Sequence, residues 1–220
     1  MNDTPILITQ PNFDKTTQYV STWSEEVEEF SLKRGNKTIT LKGKRSNRDE
    51  FESVMRKTVL QLVMLNGHGN DNEVAGQDNE VILDLESAEE IIKGKIIYAL
   101  SCSATKVLGH SCIKKGAVAF IGYSEEYIFL HSHIKVSRPR EDKRAALFFK
   151  PSNQIPISLI KGNTAQESYQ DSKGILKRVI SDLFNSETSN AERVCLPYLI
   201  WNYRHLTLLG YEKGTLTPRP

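Results

Sequence analysis

Apolar runs of strand length that alternate with helix-like segments constrain this chain more than any other feature. Near-continuous apolar runs at Val59–Leu65, Lys95–Leu100 and Ala117–Ile121 are typical of strands covered on both faces. Shorter β-prone runs precede them at Ile6–Thr9 and Asn36–Leu41. The alternation predicts an α/β fold, a three-layer α/β/α sandwich with a mostly parallel sheet.

Helices are predicted between these strands from apolar residues spaced three and four apart. Capping boxes at Ser87–Glu90 and Thr164–Glu167 mark two further helix starts. The predicted helical segments are Tyr19–Leu32, Ser46–Lys57, a short helix after Ser87 that ends at Gly94, Thr105–Lys114, and a long helix from Thr164 through Phe184.

Composition fits one globular domain over residues 1–220, with a polar, loop-rich insertion at about 123–154. The chain carries 29 Lys and Arg against 27 Asp and Glu. This balance lacks the basic excess of a nucleic-acid-binding protein, so no direct nucleic-acid partner is expected.

Cysteine content and the N-terminal sequence predict a cytoplasmic protein. The odd cysteine count (Cys102, Cys112, Cys195) indicates reduced thiols rather than a disulfide framework. The first residues lack the basic and apolar regions of a signal peptide, and no apolar run is long enough to span a membrane. No phosphate-binding glycine loop follows a strand, so no nucleotide cofactor is expected.

Two residues with catalytic chemistry directly follow buried-type strands. His68 lies in Asn66-Gly67-His68-Gly69, and Cys102 lies in Ser101-Cys102-Ser103. Ligands bind at the carboxyl ends of strands in open α/β sheets, and neighbouring strands lie about 5 Å apart. If these two strands are neighbours, the thiol and the imidazole form the reactive pair of a cysteine hydrolase.

Backbone groups of the two motifs complete the predicted site. The N–H groups of Gly69 and Cys102 are candidates for an oxyanion hole. Cys102 is also expected at a helix start, where the helix dipole favours a thiolate. Taken singly, a cysteine after a strand is more often an inert core residue, and a histidine between glycines is more often a surface turn residue.

The two motifs, in this order and after strands, resemble the caspase-like cysteine peptidases, and among them the CHAT domains. Ala117–Gly122, Thr164–Glu167 and Leu206–Gly210 resemble later segments of that group. The resemblance implies that Cys102 is the nucleophile of a cysteine endopeptidase and that His68 is its general base. It also suggests a role in bacterial defence.

The resemblance leaves the specificity of cleavage open, because the Gln-Ala-Cys signature is absent and no acidic residue directly precedes Cys102. Asp71, Glu125 and Glu126 are candidates to line a pocket for a basic substrate side chain, although each is also an ordinary solvated charge. Ser101 is assigned with them to the substrate site.

Metal sites are a weaker alternative. His110 and Cys112 project to different sides of a helix, so they cannot join Cys102 around zinc. His131 and His133 share one face of a strand but have no third ligand, so no metal is expected.

Partners other than the protein substrate are also expected. A regulatory protein or sensor is predicted to control access to the site through residues 123–154. The basic run Lys135–Arg144 is either a solvated loop, a docking surface for an acidic partner or a processing site, and Trp201 and Tyr203 are expected to be core aromatics. The rival functions are a non-catalytic caspase-like module that docks a partner and a flavodoxin-like receiver or small-ligand domain.

Overall fold

A computed structural model describes residues 5–185 and 189–216, and within them the strands form one large sheet and one hairpin. The strands are β1 (Ile6–Gln10), β2 (Thr38–Lys42), β3 (Leu62–Asn66), β4 (Glu73–Ala75), β5 (Val81–Asp84), β6 (Ile96–Leu100), β7 (Ala119–Tyr123) and β8 (Leu206–Gly210). The large sheet has the order β2-β1-β3-β6-β7-β8, and its neighbours are parallel except for the antiparallel β7–β8 pair. The predicted mostly parallel sheet is confirmed.

Helices lie on both faces of the sheet. They are α1 (Lys15–Lys33), α2 (Arg48–Lys57), α3 (Glu89–Ile92), α4 (Leu108–Lys114), α5 (Lys143–Ile160), α6 (Ala165–Leu183), α7 (Asn190–Arg193) and α8 (Leu196–His205). The predicted capping box of α6 is present, since Thr164 accepts from the Glu167 N–H and Glu167 accepts from the Thr164 N–H.

The alternation of side chains along the central strands separates two hydrophobic cores. In β3, Leu62 and Met64 face a core shared with α1, α5, α6 and α8. Val63 and Leu65 face the opposite core, which is shared with α2, α3 and α4. Successive strand residues point to opposite faces, so a strand covered on both sides must be apolar throughout. The three-layer α/β/α arrangement is therefore confirmed.

Several predicted boundaries are wrong. Helix α4 begins at Leu108, not at Thr105, and residues 101–107 form turns. The loop-rich stretch ends at Asp142, whose side chain caps α5, so the last third of the predicted insertion is helical. The capping box predicted at Ser87 is absent, because the Ser87 hydroxyl donates to Asp84 instead.

The fold places four loops side by side at the carboxyl-terminal edge of the sheet. Strands β1, β3, β6 and β7 are neighbours and run parallel, so the segments that follow them emerge side by side. The small antiparallel hairpin β4–β5, which the sequence pattern does not predict, lies between β3 and β6 in the chain. No helix of the described residues is long and apolar enough to cross a membrane.

Candidate active site

The register of β3 and β6 brings the two predicted catalytic motifs side by side. Asn66 and Leu100 are paired across these strands, so His68 and Cys102 each lie two residues beyond the same pair. Neighbouring strands are about 4.8 Å apart. The condition on which the dyad prediction depended, adjacency of the two strands, is confirmed.

Gly69 packs directly against the cysteine motif. A Cβ at this position would overlap the Ser101 hydroxyl and lie 3.4 Å from the Cys102 carbonyl oxygen. At Gly67, φ is +147°, and a Cβ would overlap the Ala75 carbonyl oxygen. We call residues 67–72, between β3 and β4, the histidine loop, and residues 101–107, between β6 and α4, the cysteine loop. Gly67 and Gly69 are required because the histidine loop passes between the hairpin and the cysteine loop.

The hairpin fixes the histidine loop through backbone hydrogen bonds. The Ala75 N–H donates to the His68 carbonyl oxygen at 2.9 Å, and the Asn70 N–H donates to the Glu73 carbonyl oxygen at 3.0 Å. This pattern leaves the N–H of Gly69 outside the ladder. Within residues 5–185 and 189–216, neither that N–H nor the N–H of Cys102 donates to another backbone group. Both remain available for the predicted oxyanion hole.

A carboxylate that the sequence analysis did not single out holds the imidazole. Asp14, in the loop after β1, has its Oδ2 2.6 Å from His68 Nε2. The ring of Phe13 contacts the imidazole edge-on, with the ring centroids 5.9 Å apart. Two side chains from one loop therefore fix the orientation of His68.

Asp14 is itself held by the start of helix α1. Its Oδ1 accepts from the Thr17 N–H at 2.7 Å, which makes it the N-cap residue. Burial raises the pKa of Asp14, but the Thr17 N–H and the His68 ring lower it, and the net pKa is below its usual value. The carboxylate is therefore charged at neutral pH, where it favours a proton on Nε2 of the facing imidazole.

The thiol of Cys102 is partly buried beside the segment that follows β7. We call residues 124–130 the flanking segment. The Ser103 N–H donates to the Glu125 carbonyl oxygen at 3.0 Å, which joins this segment to the cysteine loop. Burial raises the pKa of the Cys102 thiol, the Glu126 carboxylate adds to the rise, and the backbone N–H of Tyr127 opposes it.

The expectation of a thiolate stabilised by a helix start is wrong. Cys102 lies in the turns that precede α4, which begins only at Leu108, so Cys102 is not at the start of that helix. The following residue, Ser103, has a φ of +54°, in the left-handed region that few non-glycine residues adopt. The cysteine loop thus turns sharply directly after Cys102, and burial, which raises the pKa of the Cys102 thiol, keeps the thiol protonated at neutral pH.

The acidic residues proposed for substrate binding are partly neutralised. Lys106 Nζ lies 3.0 Å from a Glu125 carboxylate oxygen and 3.9 Å from Asp71 Oδ1. Ser101 is buried, and its hydroxyl has no hydrogen-bond partner among the described residues. Contact of these residues and of Glu126 with a substrate remains a prediction.

The candidate metal ligands and the basic run lie away from this cluster or already contact other side chains. No group of three or more His, Cys, Asp or Glu in the described part of the chain is arranged to hold a metal. His131 packs against Tyr19, with centroids 4.8 Å apart, and His133 opens a short 3-10 turn rather than continuing a strand. In the basic run, Arg140 pairs with Glu29.

Trp201 is not a core residue, contrary to expectation. It is 38% exposed on α8, and its Nε1 donates to the Glu126 carbonyl oxygen at 2.9 Å. The next residue, Asn202, accepts from the Ile128 N–H and donates to the Ile128 carbonyl oxygen. Helix α8 therefore anchors the flanking segment. Tyr203, by contrast, packs partly against the core.

Comparison with solved structures identifies the fold. The chain is similar to the crystal structure of the Arg-specific cysteine proteinase gingipain R (RgpB), with a TM-score of 0.62 and 8% sequence identity over 98% of this chain. The complex of the RgpB pro- and mature domains from Porphyromonas gingivalis gives the same values. The chain spans about half the length of these structures, 48% of each.

No protein-family model and no curated protein sequence matches the chain. The likeness at 8% identity concerns the fold alone, which is a caspase-like α/β fold. The predicted fold class is confirmed at this level. The finer resemblance to CHAT domains has no support from these comparisons.

Proposed function

We propose that this chain is a cysteine endopeptidase in which Cys102 is the nucleophile and His68 is the general base. The observation that carries the proposal is the packing of Gly69 on Ser101 and Cys102, which brings the two motifs together at the ends of neighbouring strands. The gingipain-like fold supports the same reaction class.

The geometry supports a sequence of ordinary steps. His68 removes the proton from the Cys102 thiol, and the sulfur attacks the carbonyl carbon of a peptide bond. The N–H groups of Gly69 and Cys102 stabilise the resulting oxyanion. The C–N bond then breaks, and His68 donates its proton to the leaving amine. Water, deprotonated by His68, attacks the thioester, and the acid product and the Cys102 thiol are released.

Asp14 supports the proton transfers without touching the substrate. Its carboxylate faces Nε2 of His68, so Nδ1 is the ring nitrogen left to exchange a proton with sulfur. A charged partner for one ring nitrogen fixes the tautomer and stabilises the imidazolium that forms. The resting thiol is protonated, so catalysis depends on this base rather than on a preformed thiolate.

We further propose that the chain acts as a CHAT-type peptidase in a reducing cytoplasm, in a defence pathway switched by a partner or sensor protein. The three cysteines are free, which fits a reducing compartment. The flanking segment lies against the nucleophile and belongs to the stretch where regulation was predicted. A partner that moved this segment would change access to Cys102.

A non-catalytic docking module is the second candidate function. The observation in its favour is the raised pKa of the Cys102 thiol, which is opposite to the shift found in many activated cysteines. The two functions differ in one measurable property, which is whether His68 activates Cys102.

Site-resolved alkylation by iodoacetamide tests the dyad. Burial raises the pKa of Cys112 to about 12 and that of Cys195 to about 11, so both serve as internal slow thiols. We expect Cys102 to react faster than both at neutral pH and His68→Ala to slow it. His110→Ala, on the exposed surface of α4, is the matched control and should change nothing.

Protein cleavage tests the reaction itself. New N-termini generated in a denatured bacterial protein extract by the wild-type chain should be absent with Cys102→Ala. Equal alkylation of all three cysteines, unaffected by His68→Ala, together with no Cys102-dependent cleavage, would leave the docking module as the function.

A further inference from the structure

The loop that carries Asp14 is held by a glutamine from the β4–β5 hairpin. We call residues 11–14, between β1 and α1, the aspartate loop. The Asn12 N–H in this loop donates to Gln77 Oε1 at 2.8 Å. Gln77 lies in the turn between β4 and β5, and only 9% of it is exposed. The hairpin therefore contacts the aspartate loop two residues before the carboxylate that faces His68.

The same hairpin holds the histidine loop. The Ala75 N–H donates to the His68 carbonyl oxygen at 2.9 Å, and the Ala75 carbonyl oxygen fills the space that a Cβ at Gly67 would need. Ala75 and Gln77 are two residues apart in the chain. One short stretch of the hairpin thus holds both the base and the loop of its carboxylate partner, Asp14.

The other hydrogen bonds to the backbone of the aspartate loop come from α1. The Ser21 hydroxyl donates to the Pro11 carbonyl oxygen at 2.6 Å, and Thr17 Oγ1 accepts from the Phe13 N–H at 3.1 Å. These contacts orient the loop relative to its own helix. Among the described residues, Gln77 alone hydrogen-bonds this backbone from an element other than α1, so it relates the loop to the hairpin.

The backbone of Gln77 is itself held on both sides. Its N–H donates to the Ser46 carbonyl oxygen at 2.6 Å, and its carbonyl oxygen accepts from the Glu80 N–H at 3.0 Å. The next two residues, Asp78 and Asn79, have φ of +55° and +62°, both in the left-handed region that few non-glycine residues adopt. Strained backbone of this kind persists only where the surrounding contacts hold it. The turn therefore presents the glutamine from a fixed position.

We propose that Gln77 is a positioning residue for the Asp14–His68 pair, which holds the aspartate loop against the hairpin so that the carboxylate stays within hydrogen-bond distance of Nε2. This role rests on the proposed cysteine endopeptidase function. Gln77 acts through the backbone of Asn12 rather than by contact with the reacting groups. A carboxylate held in place fixes the tautomer of the imidazole, and Nδ1 is then left to exchange a proton with Cys102.

The tautomer of His68 gives a readout that depends on the contact with Asp14. The nitrogen NMR chemical shifts of a neutral imidazole distinguish the Nε2–H form from the Nδ1–H form, and His68→Ala identifies the signals of His68 among the five histidines. We expect the wild-type chain at alkaline pH to hold the Nε2–H form. Gln77→Met, which keeps the length of the side chain but removes the acceptor, should give a mixture of both forms.

Cleavage kinetics report the consequence for catalysis. With a peptide that spans a cleavage site found for the wild-type chain, Gln77→Met should lower kcat about fivefold to tenfold and leave KM nearly unchanged, because it misplaces a supporting group without removing it. In the Asp14→Asn background the same substitution should change kcat less than about twofold, since the carboxylate that it positions is absent. A glutamine with a merely structural role would lower kcat equally in both backgrounds.

Three further variants separate positioning from folding. Gln77→Asn, whose shorter side chain withdraws the acceptor but keeps an amide, should behave like Gln77→Met. Gln77→Glu retains an acceptor for the Asn12 N–H and should keep the wild-type tautomer, since solvent screens its charge from the exposed Asp78. Gln170→Met, on the exposed surface of α6, is the matched control and should change neither the tautomer nor kcat.

The outcomes distinguish this role from the function on which it rests. If Gln77→Met and Gln77→Asn keep the Nε2–H form of His68, the positioning role is wrong and the endopeptidase proposal is unaffected. Equal losses of kcat in the wild-type and Asp14→Asn backgrounds, or equal losses in Gln77→Glu and Gln77→Met, would also overturn the role. If the wild-type chain shows no Cys102-dependent cleavage, the endopeptidase proposal fails, and a mixed tautomer in Gln77→Met would still show that Gln77 positions Asp14.

Discussion

Asp14 and His68 form a carboxylate–imidazole pair, with 2.6 Å between Oδ2 and Nε2, across the loops that follow two neighbouring parallel strands. The same aspartate is the N-cap of helix α1. One side chain therefore makes a helix-capping contact through one carboxylate oxygen and a contact with the imidazole of His68 through the other.

The two contacts of Asp14 can be separated by substitution. Asn is as good an N-cap as Asp but carries no charge, so Asp14→Asn should retain the stability of α1. Loss of the charge weakens the support for an imidazolium at His68, and we expect peptide cleavage to slow by at least about tenfold, short of the roughly 10⁴-fold loss seen for a buried catalytic aspartate, because Asp14 is partly exposed. The rate of appearance of new N-termini, compared with wild type, measures this effect.

Asp14→Ala is the companion variant, because it removes both contacts. It should show the same loss of cleavage and, in addition, a loss of about 1 kcal/mol in the free energy of unfolding from the missing cap. Chemical denaturation of the three proteins measures the difference. Wild-type cleavage by Asp14→Asn would show that Asp14 serves only the helix.

Gly69 provides a second prediction, which concerns close packing. In Gly69→Ala the new methyl group would overlap the Ser101 hydroxyl and lie 2.8 Å from the Glu73 carbonyl oxygen. Overpacking of this kind costs about 1–3 kcal/mol, and it moves the N–H proposed for the oxyanion hole. We expect lower stability in denaturation and a loss of cleavage.

Two further variants test whether overlap with the Ser101 hydroxyl causes the expected loss in Gly69→Ala. Gly174 lies inside α6 with no atom within 4 Å of a built Cβ, so Gly174→Ala should instead raise stability by about 0.5–1 kcal/mol. Ser101→Ala removes the hydroxyl, so combining it with Gly69→Ala should recover part of the loss. Purely additive effects of the two substitutions would argue against the contact.

The central strands could be predicted from the sequence because burial on both faces requires apolar residues along the whole strand. Leu62–Asn66 and Ile96–Leu100 are buried at every position, so an apolar run is enough to identify them. The placement of His68 and Cys102 followed from those strands. Their adjacency did not, since the order of strands depends on packing between distant segments.

Features set by tertiary packing were missed. Helix α5 was missed because residues up to about 154 were predicted to be loop-rich, yet the helix continues through Pro151 and Pro156, with Phe148, Phe149 and Leu159 buried along it. Asp14 was overlooked because its role depends on β1 lying next to β3. A signal was present, since Asp14 stands three residues before Thr17 at the start of a helical pattern, where an N-cap is expected.

Lys106 provides a third prediction, on specificity. Its ammonium group lies between Asp71 and Glu125, the acidic residues proposed to receive a basic substrate side chain. Lys106→Met frees both carboxylates, so cleavage after or beside Arg and Lys should increase relative to other sites. Sequencing of the new N-termini measures the preference, and folding stability should change little, since the ion pairs are exposed.

Lys135→Met is the matched control, because Lys135 forms a similar exposed ion pair with Glu141 outside the site. An unchanged preference in Lys106→Met would mean that Asp71 and Glu125 are solvated charges without a role in specificity. A change of equal size in Lys135→Met would indicate a general effect of net charge.

The support of the histidine loop by the β4–β5 hairpin gives a pH-dependent prediction. Arg48 on α2 binds Asp84 of β5 at 2.7 Å and Glu52 at 3.0 Å, which ties the helix to the hairpin. Burial raises the pKa of Asp84, but Arg48 and Ser87 lower it, and the net pKa lies below the ordinary value of 3.8. A lowered pKa in the folded state means that the charged carboxylate stabilises the fold above pH 3.8, and that this stabilisation is lost as the pH falls through the folded-state pKa.

Arg48→Met should therefore lower the free energy of unfolding by about 0.5–1 kcal/mol at pH 7, a modest value because both side chains are partly exposed. The difference from wild type should shrink as the pH falls from 3.8 through the lowered folded-state pKa of Asp84, and below that pKa Asp84 is protonated in both proteins. Denaturation of both proteins at several pH values measures the difference. Arg45→Met, which removes a more exposed pair with Glu50, should show little change at any pH. A loss in Arg48→Met that persisted undiminished into acid would show that Arg48 acts through the packing of its aliphatic stem rather than through its charge.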